Sequence, residues 1–115
     1  MDKKILKWLY DVKVSIDEIN SYFIDEKKDF FEYRKNIMSK RAVKRNLEII
    51  GEAINRILKT DSSFTSKITD ATAIVGLRNQ VIHAYDNISD EIIWAILTNH
   101  LPKLKIEINT LLKGN

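Results

Sequence analysis

An all-α helical bundle is predicted by three features of the sequence. Only three glycines and one proline interrupt 115 residues. Apolar residues recur at helical spacing through most of the chain, and no run alternates apolar with polar as a half-buried strand would. The length and 44% hydrophobic content fit one domain over residues 1–115 that buries its own core.

Ile5, Leu9, Val12, Ile16, Ile19 and Phe23 are spaced alternately by four and three residues, drawing one apolar stripe down a first helix of about five turns. After the polar DEKKD, Phe30, Phe31 and Tyr33 mark a short second helix. A longer third carries Val43, Leu47, Ile50, Ile54 and Ile57 on one face, and the turn formers of KTDSSFTSK end it. A fourth opens at Thr69 or Asp70, whose side-chain oxygens can cap free amides, and runs to about Tyr85. DNIS is the next turn. Ser89 then reads as an N-cap, with Asp90 and Glu91 favourable at the positive helix end, before Ile93, Ile96, Leu101, Leu104 and Ile108. Pro102 is expected to kink this last helix, and Gly51 to permit close helix contact. Short connections favour an antiparallel bundle of four to five helices with Trp8 and Trp94 in its core.

The absence of cysteine excludes disulfides and thiolate metal sites and suits the reducing cytosol. No basic segment precedes a long apolar run and no uninterrupted apolar stretch nears 18 residues, so neither a secretion signal nor a membrane span is expected, and a soluble, cytoplasmic protein without membrane contact is. A net charge of +3 permits a polyanionic partner without identifying one. No Glu-x-x-His pair is present, which argues against a di-iron bundle; no metal or cofactor is expected.

The chemistry concentrates in RNQVIHAYDN, residues 78–87. On a helical wheel Ala71, Ile74, Val75, Leu77, Val81, Ile82 and Tyr85 fall within about 100° of Arg78, so the guanidinium sits mid-arc on an apolar face, with Asn79 and His83 at the arc's edge. A charge there needs a partner. Either Glu48 or Glu52 of the third helix pairs with it, or a second chain covers the face and Arg78 lines a cleft between subunits. RNA cleavage without a metal needs a base for the 2′-hydroxyl, an acid for the leaving 5′ oxygen and positive charge at the transition state. Arg78 can hold phosphate oxygens through its fork of donors, His83 can exchange a proton near neutral pH, and Asn79 can orient the imidazole or bond the phosphate. One imidazole does not easily serve as both acid and base, so a twofold dimer contributing two copies of the set is the simplest catalyst.

RNQVIHAY reads Arg-x4-His-x-Tyr, and together with AVKRNLEIIGEAINRI and IIWAILTNHLPKLK it resembles the HepT branch of the HEPN superfamily. That resemblance implies a HEPN-like helical homodimer acting as the ribonuclease toxin of a toxin–antitoxin pair on tRNA or mRNA. Arg78, Asn79 and His83 would line its composite catalytic site. The implied antitoxin is a minimal nucleotidyltransferase that transfers AMP to Tyr85, whose added charge and bulk would repel an RNA phosphate. The alternative is a non-catalytic substrate-binding or adaptor partner of such a nucleotidyltransferase. A third possibility is a structural module in which the polar set is a buried salt-bridge network and Tyr85 a core tyrosine.

Residues 34–45 hold six basic side chains and no acidic one, a pattern usual for a solvated face but able to track RNA or an acidic antitoxin surface. Arg41, Lys44 and Arg45 are the stronger candidates there and Lys40 the weaker. His100 lacks an arginine or asparagine at useful spacing and reads as a surface or helix-packing residue.

Overall fold

The computed structural model describes residues 1–23, 29–83 and 89–114, with the side chains of residues 80–83 outside the description. Six α-helices and one 3-10 helix make up the described elements. They are α1 (Lys3–Ser21), α2 (Phe30–Lys35), α3 (Ile37–Thr60), the 3-10 turn η1 (Ser62–Thr65), α4 (Ala71–His83), α5 (Asp90–Asn99) and α6 (Leu101–Lys113). No strand occurs among the described residues, and no described helix is long and apolar enough to cross a membrane.

The Asp2 carboxylate starts α1 by accepting from the Lys4 and Ile5 amides at 2.7 and 3.3 Å. Its stripe is buried from Ile5 through Leu9, Val12 and Ile16 to Ile19, while Phe23, expected to continue it, lies past the end of the helix and is half-buried. Asn36 caps α3 in the same way, accepting from the Ser39 amide, and Val43, Leu47, Ile50, Ile54 and Ile57 all lie in the core. Each full burial of such a side chain stabilises the fold by about 2 kcal/mol. The third helix is central: α1, α2, η1 and α4 all pack on it, while α6 closes against α1 and α5. Tyr22, just past the end of α1, donates to Asn46 Oδ1 in the first half of α3 at 2.7 Å, as antiparallel neighbours do.

The two tryptophans depart from the expected core positions. Both are half-buried and pack against the core from its edge, because an indole is too large to be enclosed easily in a bundle of thin layers. Trp94 anchors an aromatic cluster with Phe23, Phe30 and Tyr33, at ring distances of 5.8, 6.0 and 5.3 Å. Burial, and then the Asp90 carboxylate, push the Tyr33 phenol well above its ordinary range.

Three local expectations are corrected. The segment after α3 is more than a turn: η1 forms there and buries Phe64, with Ile68 enclosed just beyond it. Pro102 does not kink one long helix. It stands in the first turn of α6, where its missing amide costs nothing, and α5 has already ended at His100. The helix α4 opens after Asp70, whose carbonyl accepts from the Ile74 amide at 2.9 Å, but no described side-chain bond of Thr69 or Asp70 caps it. Thr69 donates to Glu107 Oε2 through its amide (3.0 Å) and its hydroxyl (2.6 Å). Asp70 Oδ2 lies 2.8 Å from His100 Nδ1 and 3.1 Å from Lys103 Nζ. Charge-assisted partners from the α5–α6 corner outweigh the local amides, and His100 is a packing residue, as expected.

The close approach of α3 and α4 depends on Gly51. A Cβ there would collide with Arg78 Cβ, lie 2.7 Å from Arg78 Cγ and touch Ile74 O at 3.4 Å. Alanine would gain up to about 1 kcal/mol of helix propensity but force apart atoms that cannot rotate away, at about 1–3 kcal/mol. Gly51→Ala is therefore expected to lower the thermal midpoint; an unchanged or raised midpoint would show that the helices separate without cost.

Hydrogen bonds from His100 first and Lys103 second hold the Asp70 carboxyl below its ordinary range. A depressed carboxylate pKa contributes stability that is present above the unfolded value and lost as pH falls through the folded one. Asp70→Asn should accordingly melt below wild type at about pH 5, with the gap closing as pH drops under about 4. Melting curves over that range check this, and a gap that does not change with pH would contradict it.

Candidate active site

Ala71 and Ile74 bury one side of α4 against the bundle, and Arg78 is the next residue along that stripe. With Gly51 offering no side chain, the stem of Arg78 lies directly on α3. Its guanidinium reaches an acid one position further on: Arg78 Nη2 is 2.5 Å from Glu52 Oε2, with side-chain exposures of 24% and 34%. Of the two carboxylates expected to compete for Arg78, Glu52 is the partner, while Glu48 faces Arg45 at 3.4 Å. Arg78 Nη1 donates to Asn79 Oδ1 at 2.8 Å. Glu52 Oε1 in turn accepts from Arg56 Nε at 2.9 Å.

The contact between Arg78 and Glu52 is a charge pair whose angles do not make a hydrogen bond, and Arg78 Nε is buried without a partner among the described residues. The guanidinium is thus held at one edge rather than gripped by a two-bond fork.

The pair opens onto a cleft of about 330 Å³ whose walls include Trp8, Arg45, Glu48, Glu52, Arg56 and Arg78. Arg78 therefore has the intramolecular carboxylate of the first alternative, and it also lines a cleft of its own chain. A larger hollow of about 440 Å³ lies at the α2–α3 elbow. Its lining includes neither arginine nor histidine, so size does not make it the better candidate.

The remaining predicted residues are placed as follows. Asn79 is exposed, and its described bond goes to Arg78 rather than to an imidazole. His83 is the last described residue of α4, about a turn and a half beyond Arg78 on the same backbone, with its side chain outside the description. Tyr85 lies outside the described residues. Arg41 and Arg45 are exposed and Lys44 half-buried; Arg45 reaches the cleft. Lys40, the weaker basic candidate, is engaged in the fold through Asp90 at 3.1 Å and the Arg34 carbonyl at 3.4 Å.

Arg56 and Trp8 are among the cleft residues that the sequence did not single out. Arg56 follows Glu52 by four positions, the acid-first order that stabilises a helix pair, and that spacing was the available signal. Trp8 looked like a core residue because it adjoins the α1 stripe; nothing local separates an indole lining a cleft from one in the interior.

The sequence model of the family described as ribonuclease HepT-like matches residues 12–111. Relatives whose names read "Putative RNase" match between 73% and 96% of the chain. "Putative RNase MJ1380" of Methanocaldococcus jannaschii is 37% identical over 94% of this chain and 97% of its own. "Putative RNase MJ0127" of the same organism is 32% identical over 96% and 89%. "Putative RNase TTE0752" of Caldanaerobacter subterraneus subsp. tengcongensis is 32% identical over 73% and 74%. No solved structure matches. With Arg78 at a cleft and a family match spanning α1 to α6, the chain belongs to the ribonuclease HepT-like family of the HEPN superfamily.

Proposed function

We propose that this protein is a metal-independent endoribonuclease, the toxin of a toxin–antitoxin pair, and that Arg78, Asn79 and His83 form its site in the cleft of a homodimer. The observation that carries this reading is Arg78, its side chain about a quarter exposed, at a cleft where Arg45 and Arg56 stand beside Asp11, Glu48 and Glu52, in a chain of a ribonuclease family. Arg78 supplies permanent positive charge to the non-bridging oxygens of the reacting phosphate. His83 moves the proton, taking it from the 2′-hydroxyl or giving it to the departing 5′ oxygen, and the second subunit's copy serves the other step.

The apolar character of α4 supports a dimer. Beyond its buried side, α4 presents exposed Ala73 and Gly76 and half-buried Val75 and Leu77, several of which line a mostly apolar groove of about 290 Å³ with Ile96 and His100. A helix apolar around most of its circumference is stable when covered on both sides, and a second copy would cover it. In this reading the antitoxin is a minimal nucleotidyltransferase that silences the enzyme by transferring AMP to Tyr85, two residues beyond His83. The new phosphate would occupy and repel the substrate's position.

Purified protein should cut RNA in the presence of a chelator and leave cyclic-phosphate or 3′-phosphate ends. His83→Ala should lower kcat by about 10²–10⁴-fold with its circular dichroism and melting curve intact. Full cleavage by that variant would remove His83 from the mechanism. If the free protein cuts nothing yet binds a nucleotidyltransferase equally well with or without His83, the adaptor reading replaces this one.

Arg41 and Arg45 lie on one α3 stripe with Glu48 and Glu52, leading toward Arg78. As RNA backbone contacts they should act through KM. Replacing either with alanine should weaken binding and reduce the slope of log affinity against log salt by about 1. An unchanged slope would return them to the solvated face of the helix.

A further inference from the structure

We propose that Glu52, braced by Arg56, is a positioning residue for the Arg78 guanidinium and also the charge with which an RNA phosphate must share it. The inference rests on the ribonuclease reading of the cleft and adds to it a residue outside the Arg-x4-His-x-Tyr motif.

Four side chains form a chain of contacts across the α3–α4 junction. Arg56 Nε donates to Glu52 Oε1 at 2.9 Å, Glu52 Oε2 meets Arg78 Nη2 at 2.5 Å, and Arg78 Nη1 donates to Asn79 Oδ1 at 2.8 Å. An arginine carries a long, rotamer-rich stem, and ordering it at the moment of reaction would cost entropy that prior anchoring removes. Gly51 fixes the base of that stem against α3, and Glu52 and Asn79 fix its head from two directions. Arg56 keeps the carboxylate from swinging away and supplies a cation that remains with Glu52 when Arg78 turns part of its charge to a phosphate.

The anchoring is incomplete in a way that suits a ligand. Glu52 contacts a single nitrogen of Arg78 without hydrogen-bond geometry, and because Arg78 Nε is buried, a phosphate would reach the guanidinium through its Nη atoms. A pair built for stability alone would use the two-bond fork available to an arginine and a carboxylate. Here the arginine is placed but not saturated. The same carboxylate also puts negative charge into the cleft that an RNA phosphate enters, so it opposes binding while it aids the chemical step.

These two actions separate kcat from KM. In Glu52→Gln the amide keeps the shape but loses the charge. Phosphate binding should tighten about threefold, read as a lower KM and as tighter binding of an uncleavable 2′-O-methyl oligoribonucleotide. The loosened guanidinium should lower kcat about tenfold, the equivalent of ~1.4 kcal/mol. A residue that merely held the fold would lower the melting point and leave both constants of the folded fraction unchanged. Arginine side-chain ¹⁵N NMR gives a readout independent of activity: separate Nη signals for Arg78 in wild type, merging in Glu52→Gln as rotation is freed.

Should Glu52→Gln fail to fold, Arg56→Gln keeps the Arg78 partner in place and is expected to lower kcat about threefold and broaden the same Nη signals, a milder effect because only the brace is lost. A folded Glu52→Gln, or in its place a folded Arg56→Gln, with wild-type kcat and unchanged Arg78 signals overturns the proposal. If wild type cuts no RNA, the ribonuclease reading fails by itself, and the anchoring of Arg78 still stands or falls on the NMR signals.

Discussion

The contact between Arg78 and Glu52 across the α3–α4 junction is the constraint on which the functional geometry depends. Removing a guanidinium and a carboxylate from water costs several kcal/mol per ion unless each finds compensation. The fold meets this cost only in part, leaving both groups at the edge of a cleft with roughly a quarter and a third of their side chains open to solvent. A fully buried pair would be inert toward an outside anion, and a fully exposed one would be a weak surface salt bridge without fixed geometry. The intermediate position retains order and access together.

The pair is possible because the backbone around it is rigid. The helix α3 is buried along its length by Val43, Leu47, Ile50, Ile54 and Ile57, so Glu52 and Arg56 project from a scaffold that cannot roll. The absence of a side chain at Gly51 lets α4 settle against it, and the junction of α4 with the α5–α6 corner is tied by Thr69 to Glu107 and by Asp70 to His100 and Lys103. Polar side chains at the start of α4 serve tertiary contacts, and the helix gains orientation where it might have gained a local cap. A reactive group on such a helix inherits its position from the core, which is the arrangement that precise charge placement requires.

Much of this was legible before any coordinates. One apolar residue per turn in α1 and α3 admits a single buried face, and the residues the spacing names are buried, except Phe23, which is half-buried past the end of α1. Ser89 followed by Asp90 and Glu91 marked the start of α5 because capping is local chemistry. What depends on distant partners was not legible. Phe64 lies among serines and threonines that suggest an open turn, and only its burial reveals η1 as part of the core. Pro102 is compatible with a kink or with a new helix, and the choice rests on how α6 docks. The pairing of Arg78 was narrowed to Glu48 or Glu52, one turn apart on the same face, and Glu48 is engaged by Arg45 instead. His83 and Tyr85 were named through the Arg-x4-His-x-Tyr spacing, and their side chains lie outside the described part of the molecule.

The most direct test of this account is a crystal structure of the protein bound to an uncleavable 2′-O-methyl RNA. It should show one backbone phosphate within about 3 Å of an Arg78 guanidinium nitrogen, in a groove shared by two subunits, with Glu52 still against the same arginine. RNA seated on another face, with Arg78 closed in its pair inside a lone subunit, would contradict it.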